Sequence, residues 1–323
     1  MWRTTLRRFI ILIPQLFVLS VLIFVIASFM PGDALGGLFE DPTMDPERIH
    51  EMRVDAGLYD PWPVQYVNWV TGMLRGDFGQ SLVHRRPVTD LIGERLSNTL
   101  LLSTVSVIII YAFAIPLGLI AGRFRGRWPD KLISLYNFLQ MAFPTVVFAV
   151  VLQWVFAITL GIFPLRGSVD VTVLGTGSAL QIWVSRLRHA ILPALAGSLL
   201  AGVGIIQFLA NDINDQKNMD YANLAISKGV PITKVYTRHI FRNSLLPIAA
   251  GSGSVIVGLF NGAFFIENLF SFNGMGRLFV TSIGQRDWPV ANFLIVFYAS
   301  LGAIGFLISD IVLTIFDPRI RIK

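Results

Sequence analysis

The sequence contains no cysteine and few charged residues for its length. Asp, Glu, Lys and Arg make up 14% of its 323 residues, compared with about 25% in an ordinary soluble domain. Without cysteine the chain can form neither disulfides nor thiolate metal sites. Despite a net charge of +6, the charges are too sparse to follow a nucleic-acid backbone. We therefore expect no nucleic-acid partner.

Apolar residues, by contrast, are abundant. Hydrophobic residues make up 54% of the chain, and the mean hydropathy is +0.65. A soluble fold of this length cannot bury so much apolar surface, and a disordered chain would be far less hydrophobic. The composition therefore predicts an integral membrane protein.

Six apolar stretches are long enough to cross the hydrocarbon core as helices, which takes about 20 residues. They are residues 9–30, 99–122, 132–165, 189–211, 243–266 and 288–309. The third is longer than one crossing needs, so part of it is expected to run in the membrane interface. The first is too long for a signal-peptide core and lacks a cleavage site after it, so we expect it to be retained.

Lys and Arg are concentrated in the segments that would be cytoplasmic if the N-terminus were inside. This bias predicts that both termini face the cytoplasm. The chain then divides into a first transmembrane helix (1–30), an extracellular or periplasmic loop with short amphipathic helices (31–94), a five-helix core with an inner loop at 212–242 (95–317), and a cytoplasmic tail (318–323).

The outer loop carries three signals for short helices. Asp45-Pro46 and Asp60-Pro61 each resemble an N-cap followed by Pro at the first helical position. A third short helix is expected after Pro87, with Leu91, Ile92 and Leu96 on one face. Such helices lie on the membrane surface or cap the outer mouth. Binding of an external partner and simple packing both account for them.

Glycine and proline interrupt the fourth and fifth spans. Gly202 and Gly204 lie in the fourth, and Pro247 and Gly251 lie in the fifth. Small residues let helix backbones approach closely. The pattern indicates either close helix packing or a translocation path between these two helices.

The inner loop 212–242 is too polar to span and is patterned as two helices. In the first, Asp220 is a predicted N-cap and Gly229 a C-terminal stop with positive φ. Four residues are expected to share one face of this helix: Tyr221, Leu224, Ala225 and Lys228. The second follows Pro231, with an apolar stripe at Ile232, Val235, Tyr236, His239 and Ile240. The loop is either a docking lever for a soluble partner or a helix pair on the membrane surface.

The residues of this loop resemble the cytoplasmic signature of ABC importer permeases. The run D-Y-A-N-L-A-I-S-K-G (220–229), followed by L-L-P (245–247), is most similar to the oligopeptide/dipeptide branch. Other matching runs are M-P-G-D (30–33), L-R-G-D-F-G-Q-S (74–81), R-P-V (86–88), E-N-L-F-S-F-N-G-M-G-R-L (267–278), R-D-W-P-V (286–290) and D-P-R-I-R (317–321). The resemblance extends from about residue 6 to the end, and the long outer loop resembles the "B" type of the two paired permeases. The chain departs from the general motif at Asn223, where other importers carry Glu.

The resemblance implies an all-α integral membrane protein with six transmembrane helices, the type I ABC importer permease fold and cytoplasmic termini, located in a bacterial or archaeal cell membrane. It would pair with a second, homologous permease as a heterodimer, surrounded by membrane lipid. Two ABC ATPase subunits would dock at the inner loop, and an extracellular or periplasmic binding protein would deliver the substrate. The ATPase-coupling helix would include Ala225, Lys228, Gly229, Val230 and Pro231. Oligopeptides or dipeptides are the expected cargo, with nickel or a glycoside as the alternative.

Catalytic, cofactor-binding and metal-binding residues are not expected on this chain. No G-x-x-x-x-G-K-[ST] run is present, so ATP and Mg would bind to the partner ATPase subunits. An embedded zinc enzyme is disfavoured because His50-Glu51 is followed by Val54, where the second His of H-E-x-x-H would stand. A secondary transporter is disfavoured because the predicted spans hold no ionisable residue at their centres.

Overall fold

The computed structural model describes residues 2–29, 59–251 and 264–316, together with residues 45, 47, 50, 51, 54 and 57. This part of the chain is helical and contains no strand. Its helices are α1 (Trp2–Phe29), α2 (Trp62–Leu74), α3 (Val88–Arg123), α4 (Trp128–Ala142), α5 (Thr145–Leu152), α6 (Val171–Thr176), α7 (Ala179–Ala201), α8 (Val203–Gln216), α9 (Asp220–Ser227), α10 (Ile232–Lys234), α11 (Phe241–Ala250), α12 (Met275–Gly284) and α13 (Trp288–Phe316). Two π-helical segments, Gln153–Thr159 and Val235–Ile240, continue α5 and α10. The predicted all-α class is confirmed.

Helix α3 is the central element and corrects the prediction of a separate outer helix after Pro87. Pro87 is the N-cap of α3, and the chain then remains helical for 36 residues. Its length is about 54 Å, well beyond the ~30 Å of a hydrocarbon core. Leu91 and Ile92, expected on a short surface helix, instead belong to the buried core formed with α12 and α13. The predicted short helix after Pro87 and the second predicted span (99–122) form one continuous helix, because no proline lies between them.

The third predicted span is broken in two. Helices α4 and α5 meet at an angle of 105°. The break lies at Phe143, whose backbone is extended (φ −95°, ψ 128°), because the ring of Pro144 disfavours the helical conformation in the residue before it. The stretch 132–165, which is longer than one crossing needs, therefore forms two helical segments joined by a sharp bend.

The fourth span bends by 43° at Gly202, between α7 and α8. Helix α8 then packs closely along α3. A Cβ added at Gly122 would lie 2.7 Å from the Cβ of Ile213, and one at Gly118 would lie 2.9 Å from the Cβ of Leu209. The G-x-x-x-G spacing of these glycines brings the two backbones together.

Helix α2 packs against the C-terminal half of α1 through aromatic rings. Phe24 of α1 contacts Trp62, Tyr66 and Trp69, with ring centroids 5.5–6.1 Å apart. The N-cap of α2 was predicted at Asp60, but Pro61 occupies the N-cap position. The backbone carbonyl of Asp60 accepts a hydrogen bond from the side chain of Gln65.

Several helices of the described residues are suited to cross a membrane by length and composition. They are α3 and the segment Trp288–Gly305 of α13, with the bent pairs α4–α5 and α7–α8 as further spans and Ile13–Ile26 as a shorter apolar stretch. Half of the fifth predicted span (252–263), the tail 318–323 and much of the outer loop before residue 59 lie outside the described residues. The count of six spans and the orientation of the termini therefore stay predictions.

Candidate functional site

The inner loop forms a short helix that ends in a fully hydrogen-bonded turn. Helix α9 begins at Asp220, so the N-cap is Met219 rather than the predicted Asp220. At its end, the N–H of Gly229 donates to the carbonyl of Ile226 (2.9 Å) and the N–H of Val230 donates to that of Ala225 (3.1 Å). These two bonds define a Schellman motif. The φ of Gly229 is +76°, which confirms the predicted glycine stop.

Helix α9 has a buried face made of small residues. Ala222 and Ala225 pack into a core with Leu209 and Ile213 of α8 and with Val235 and Ile240 of the next segment. Because alanine side chains are short, α9 can lie close against α8. The prediction that Leu224 and Ala225 share one face of α9 is wrong, because Ala225 is buried whereas Leu224 is exposed.

Two large apolar side chains of α9 are exposed. Leu224 is 56% exposed and Ile226 is 47% exposed. Met219 before the helix and Ile232 after it are also about half exposed. Large apolar side chains that are exposed around a short polar loop are candidates for contact with another molecule. Helical spacing placed Leu224 and Ile232 on helix faces shared with residues that are buried, so sequence reasoning did not separate the exposed positions from the buried ones.

The segment after Pro231 departs from the predicted α-helical stripe. Val235 and Ile240 are buried, whereas Ile232 and His239 are exposed. The reason is the π-helical hydrogen bonding of Val235–Ile240, which brings residues five apart onto one face. The two buried residues are spaced by five.

The inner loop is tied to the end of α3 through Arg123. Its Nη2 donates to the Oγ1 of Thr233 at 3.2 Å, and its guanidinium lies 5.7 Å from the ring centroid of Tyr236. At the other side of the loop, the Tyr221 hydroxyl donates to the side chain of Gln216 at the end of α8. The inner loop is therefore joined to α8 through α9 and to α3 through the segment that follows Pro231.

The five residues expected in the coupling helix occupy different environments. Ala225 is buried, Val230 is half-buried, and Lys228, Gly229 and Pro231 are exposed. The first two hold the turn against the bundle. The remaining three surround the exposed apolar face of α9 at its C-terminal end.

At the opposite end of the bundle, Glu267 caps the start of α12. The Thr99 hydroxyl donates to its Oε1 (2.8 Å) and the N–H of Arg277 donates to its Oε2 (3.0 Å). The N–H of Met275 donates in turn to the hydroxyl of Thr99. These bonds satisfy N–H groups that a helix start leaves free. Burial raises the pKa of Glu267 to about 7, and the hydrogen bonds from Thr99 and Arg277 oppose that rise. A Cβ at Gly274 would collide with this carboxylate.

Asp287 joins two sequence motifs that are far apart in the chain. Its carboxylate accepts hydrogen bonds from the Ser81 hydroxyl and from the N–H of Leu82. Beside it, the rings of Phe78 and Phe293 are 4.4 Å apart between centroids. The runs 74–81 and 286–290 therefore form one folded unit. Like the Glu267 network, this unit is a rigid scaffold at the end of the bundle away from α9.

The match to known families covers both halves of the chain. Residues 114–322 match the family model described as the binding-protein-dependent transport system inner membrane component. Residues 1–103 match the N-terminal model of the same membrane components. The chain belongs to this family. Its members are membrane permease subunits of ABC importers that act with separate ATPases and substrate-binding proteins, so the chain is not itself an enzyme.

The similar proteins cover nearly the whole chain. The oligopeptide transport system permease protein AppB of Bacillus subtilis (strain 168) is 36% identical over 316 residues, 98% of both chains. The glutathione transport system permease protein GsiC is 32% identical in Salmonella typhimurium over 319 residues and in Escherichia coli (strain K12) over 318 residues, again 98% of both chains. The resemblance found in the sequence motifs is confirmed, and a secondary transporter is set aside.

Proposed function

We propose that this chain forms half of the translocation pathway of an ATP-driven importer for short peptides. The observation that carries the proposal is its full-length similarity to permeases named for oligopeptide and glutathione transport. Both names describe peptide cargo of small size. Nickel and glycosides are the alternative cargo classes for this type of machinery.

The second half of the pathway would be a homologous permease, so the transmembrane part is a heterodimer. One ATPase would dock on each permease. On this chain, Leu224 and Ile226 supply the apolar contact, Gly229 sets the angle of the turn, and Lys228 and Pro231 lie at its rim. Ala225 and Val230 hold the helix against the bundle. Movement of the ATPase would then displace α9 together with the ends of α3 and α8.

A groove beside α8 supports the predicted path between the fourth and fifth spans. It has a volume of about 190 Å³ and is mainly apolar. Its wall includes Gly204 and Phe208 of α8, Tyr111 of α3, and Pro247 of α11. The absence of a side chain at Gly204 helps keep this groove open. We propose that it forms part of the passage for the cargo.

The proposal is tested by transport in reconstituted vesicles. The chain is reconstituted with its second permease, both ATPases and the binding protein, and uptake of labelled dipeptides, pentapeptides, glutathione, nickel and a glycoside is measured. We expect ATP-dependent uptake of peptides and no uptake when an ion gradient replaces ATP. Uptake that an ion gradient drives without the ATPases would refute the importer mechanism. ATP-driven uptake of nickel or the glycoside alone would refute the peptide cargo.

A further inference from the structure

Three residues other than glycine have a positive φ in the described part of the chain: Arg85 (+51°), Ser271 (+50°) and Arg286 (+58°). Two of the three are arginines, and both arginines are exposed. The left-handed conformation costs an L-residue about 1–2 kcal/mol. Residues that are held in it by the surrounding structure cluster at functional sites. The two arginine turns, residues 81–86 and 283–287, therefore call for a functional explanation.

The two turns lie side by side because Asp287 joins them. Arg286 directly precedes Asp287, whose buried carboxylate accepts a hydrogen bond from the Ser81 hydroxyl. Ser81 also closes its own turn: its carbonyl accepts from the N–H of Arg85 at 3.0 Å, and its N–H donates to the carbonyl of Arg86 at 2.9 Å. Both turns are therefore held in place before a partner arrives, so little conformational entropy is lost on binding.

The guanidinium groups of Arg85 and Arg286 are unpaired. Neither makes an ion pair or a side-chain hydrogen bond with any residue that the structure describes. The acidic side chains of the two turns and their flanks are, by contrast, engaged within the fold. They are Asp287, Asp77, whose carboxylate accepts from the N–H of Gly79, Glu94, which pairs with Arg86, and Asp90, in the first turn of α3. Two positive charges therefore remain on the surface without a bound counter-charge.

The arginine turns stand above the lipid headgroups. The turn 81–86 leads directly into α3, which begins at Val88, and the apolar stretch of α3 begins at Thr99. The part of α3 between these two residues rises about 16 Å along the helix axis, or about 12 Å normal to the membrane at a tilt of about 40°. A headgroup layer is only about 5–8 Å thick. The two guanidinium groups are therefore within reach of a soluble protein.

The end of the bundle that carries these turns faces away from α9, because α3 begins at the turns and ends at the inner loop. With the ATPases docked at α9, as in the proposed function, the turns face the outside, where Lys and Arg are normally scarce. Guanidinium groups bind carboxylates with paired hydrogen bonds. We propose that Arg85 and Arg286 bind carboxylates on the external substrate-binding protein when it docks. The inference rests on the proposed function and adds the surface and the charge of that contact.

The test measures the Kd between the binding protein and the importer complex in lipid nanodiscs, without ATP, by biolayer interferometry. The probe is the binding protein that supports uptake in the reconstituted vesicles. Arg85→Glu and Arg286→Glu are each expected to raise the Kd about tenfold, because reversal of the charge turns attraction into repulsion. Each replaces one exposed L-residue by another at the same φ, so the Tm should not change. Added salt should weaken binding of the unmodified complex more than that of the double variant.

Arg127→Glu is the matched control. Arg127 is also exposed and precedes α4 at the end of the bundle near α9, so this variant makes the same change in net charge far from the arginine turns. It should bind the binding protein with the Kd of the unmodified complex. The proposal is overturned if Arg85→Glu and Arg286→Glu both bind normally, or if Arg127→Glu weakens binding equally.

Nanodiscs of two compositions separate a protein contact from a lipid contact. A loss of affinity in both phosphatidylcholine and phosphatidylglycerol nanodiscs supports a carboxylate of the binding protein. A loss confined to phosphatidylglycerol nanodiscs assigns the two arginines to anionic headgroups and overturns the proposal. Uptake by the unmodified chain is measured separately. Normal ATP-driven uptake together with normal binding by the variants refutes only this inference, whereas the absence of ATP-driven uptake refutes the proposed function.

Discussion

The turn at Gly229 offers the sharpest test of how the ATPases act on this permease. Gly229 has a φ of +76°, and a Cβ added there would meet no atom within 4 Å. The substitution Gly229→Ala therefore introduces backbone strain without a steric clash. Any loss of function must arise from the changed conformation of the turn.

The magnitude follows from the cost of positive φ. An L-residue in the left-handed region costs about 1–2 kcal/mol, which lowers the ratio of ordered to open turn by a factor of about 5–30. When the turn opens, the bonds from the N–H groups of Gly229 and Val230 are lost, and the last turn of α9 is released. Leu224 and Ile226 then no longer present a fixed surface.

The assay is ATP hydrolysis by the reconstituted complex, stimulated by the loaded binding protein. We expect Gly229→Ala to reduce the stimulated rate, by at most about 5–30-fold, because the ordered fraction of the turn cannot fall by more than the ratio of ordered to open turn. The amount of permease inserted in the membrane should not change, because the strain is confined to an exposed turn. Co-purification of the ATPases with the permease measures docking directly.

Gly161→Ala is a matched control. Gly161 also has a positive φ, of +61°, and open space around the position of a Cβ, but it lies between the π-helical segment Gln153–Thr159 and α6, outside the inner loop 212–242. Its variant carries the same type of strain and should keep normal coupling. If the Gly229 variant keeps full stimulation, or if both variants lose it equally, the assignment of α9 to coupling is wrong.

Three further predictions concern packing and docking. Leu224→Ser should weaken co-purification of the ATPases without lowering the Tm of the permease, because Leu224 is exposed in the isolated chain. Gly122→Val should abolish folded protein, measured by size-exclusion chromatography, because its Cβ would lie 2.7 Å from the Cβ of Ile213, and overpacking of this kind costs about 1–3 kcal/mol or more. Gly93→Val, in the same helix with open space around the position of a Cβ, should fold normally apart from the small loss of helix propensity. Glu267→Ala should lower the Tm because it leaves buried donors at the start of α12 unpaired, at about 1–3 kcal/mol each, whereas Glu267→Gln retains acceptor capacity and should lower it less.

The sequence predicted the apolar helices well but not their shapes. Run length and charge distribution located the stretches that became α3, the α4–α5 pair, the α7–α8 pair and α13. The same criteria could not give the 105° bend at Phe143, because a proline in an apolar run is compatible with a kink, a break or a helix start. Pro87 shows the converse error, since a helix start was mistaken for a separate short helix.

Local pattern also predicted the glycine stop at Gly229 but not the faces around it. Positive φ is a local property of the backbone, so a single glycine after a helical run is informative. The exposure of Leu224 depends instead on which side of α9 meets α8, and the exposure of Ile232 depends on the π-helical hydrogen bonds that follow. The exposure of Leu224 and the exposure of Ile232 both depend on tertiary packing, and a 3.6-residue sequence period carries no information about that packing.

The two ends of the bundle differ in a way that bears on transport. Around Glu267 and Asp287, hydrogen bonds join segments some 170–200 residues apart in the chain into a rigid unit. Around α9, the contacts instead join a small helix to the ends of α3 and α8, and the glycine contacts bind those two helices to each other. A force applied to α9 is therefore carried by α3 and α8 as a pair. At Gly202, α8 can change its angle to α7 without breaking a continuous helix, and at Phe143, α4 can do the same relative to α5.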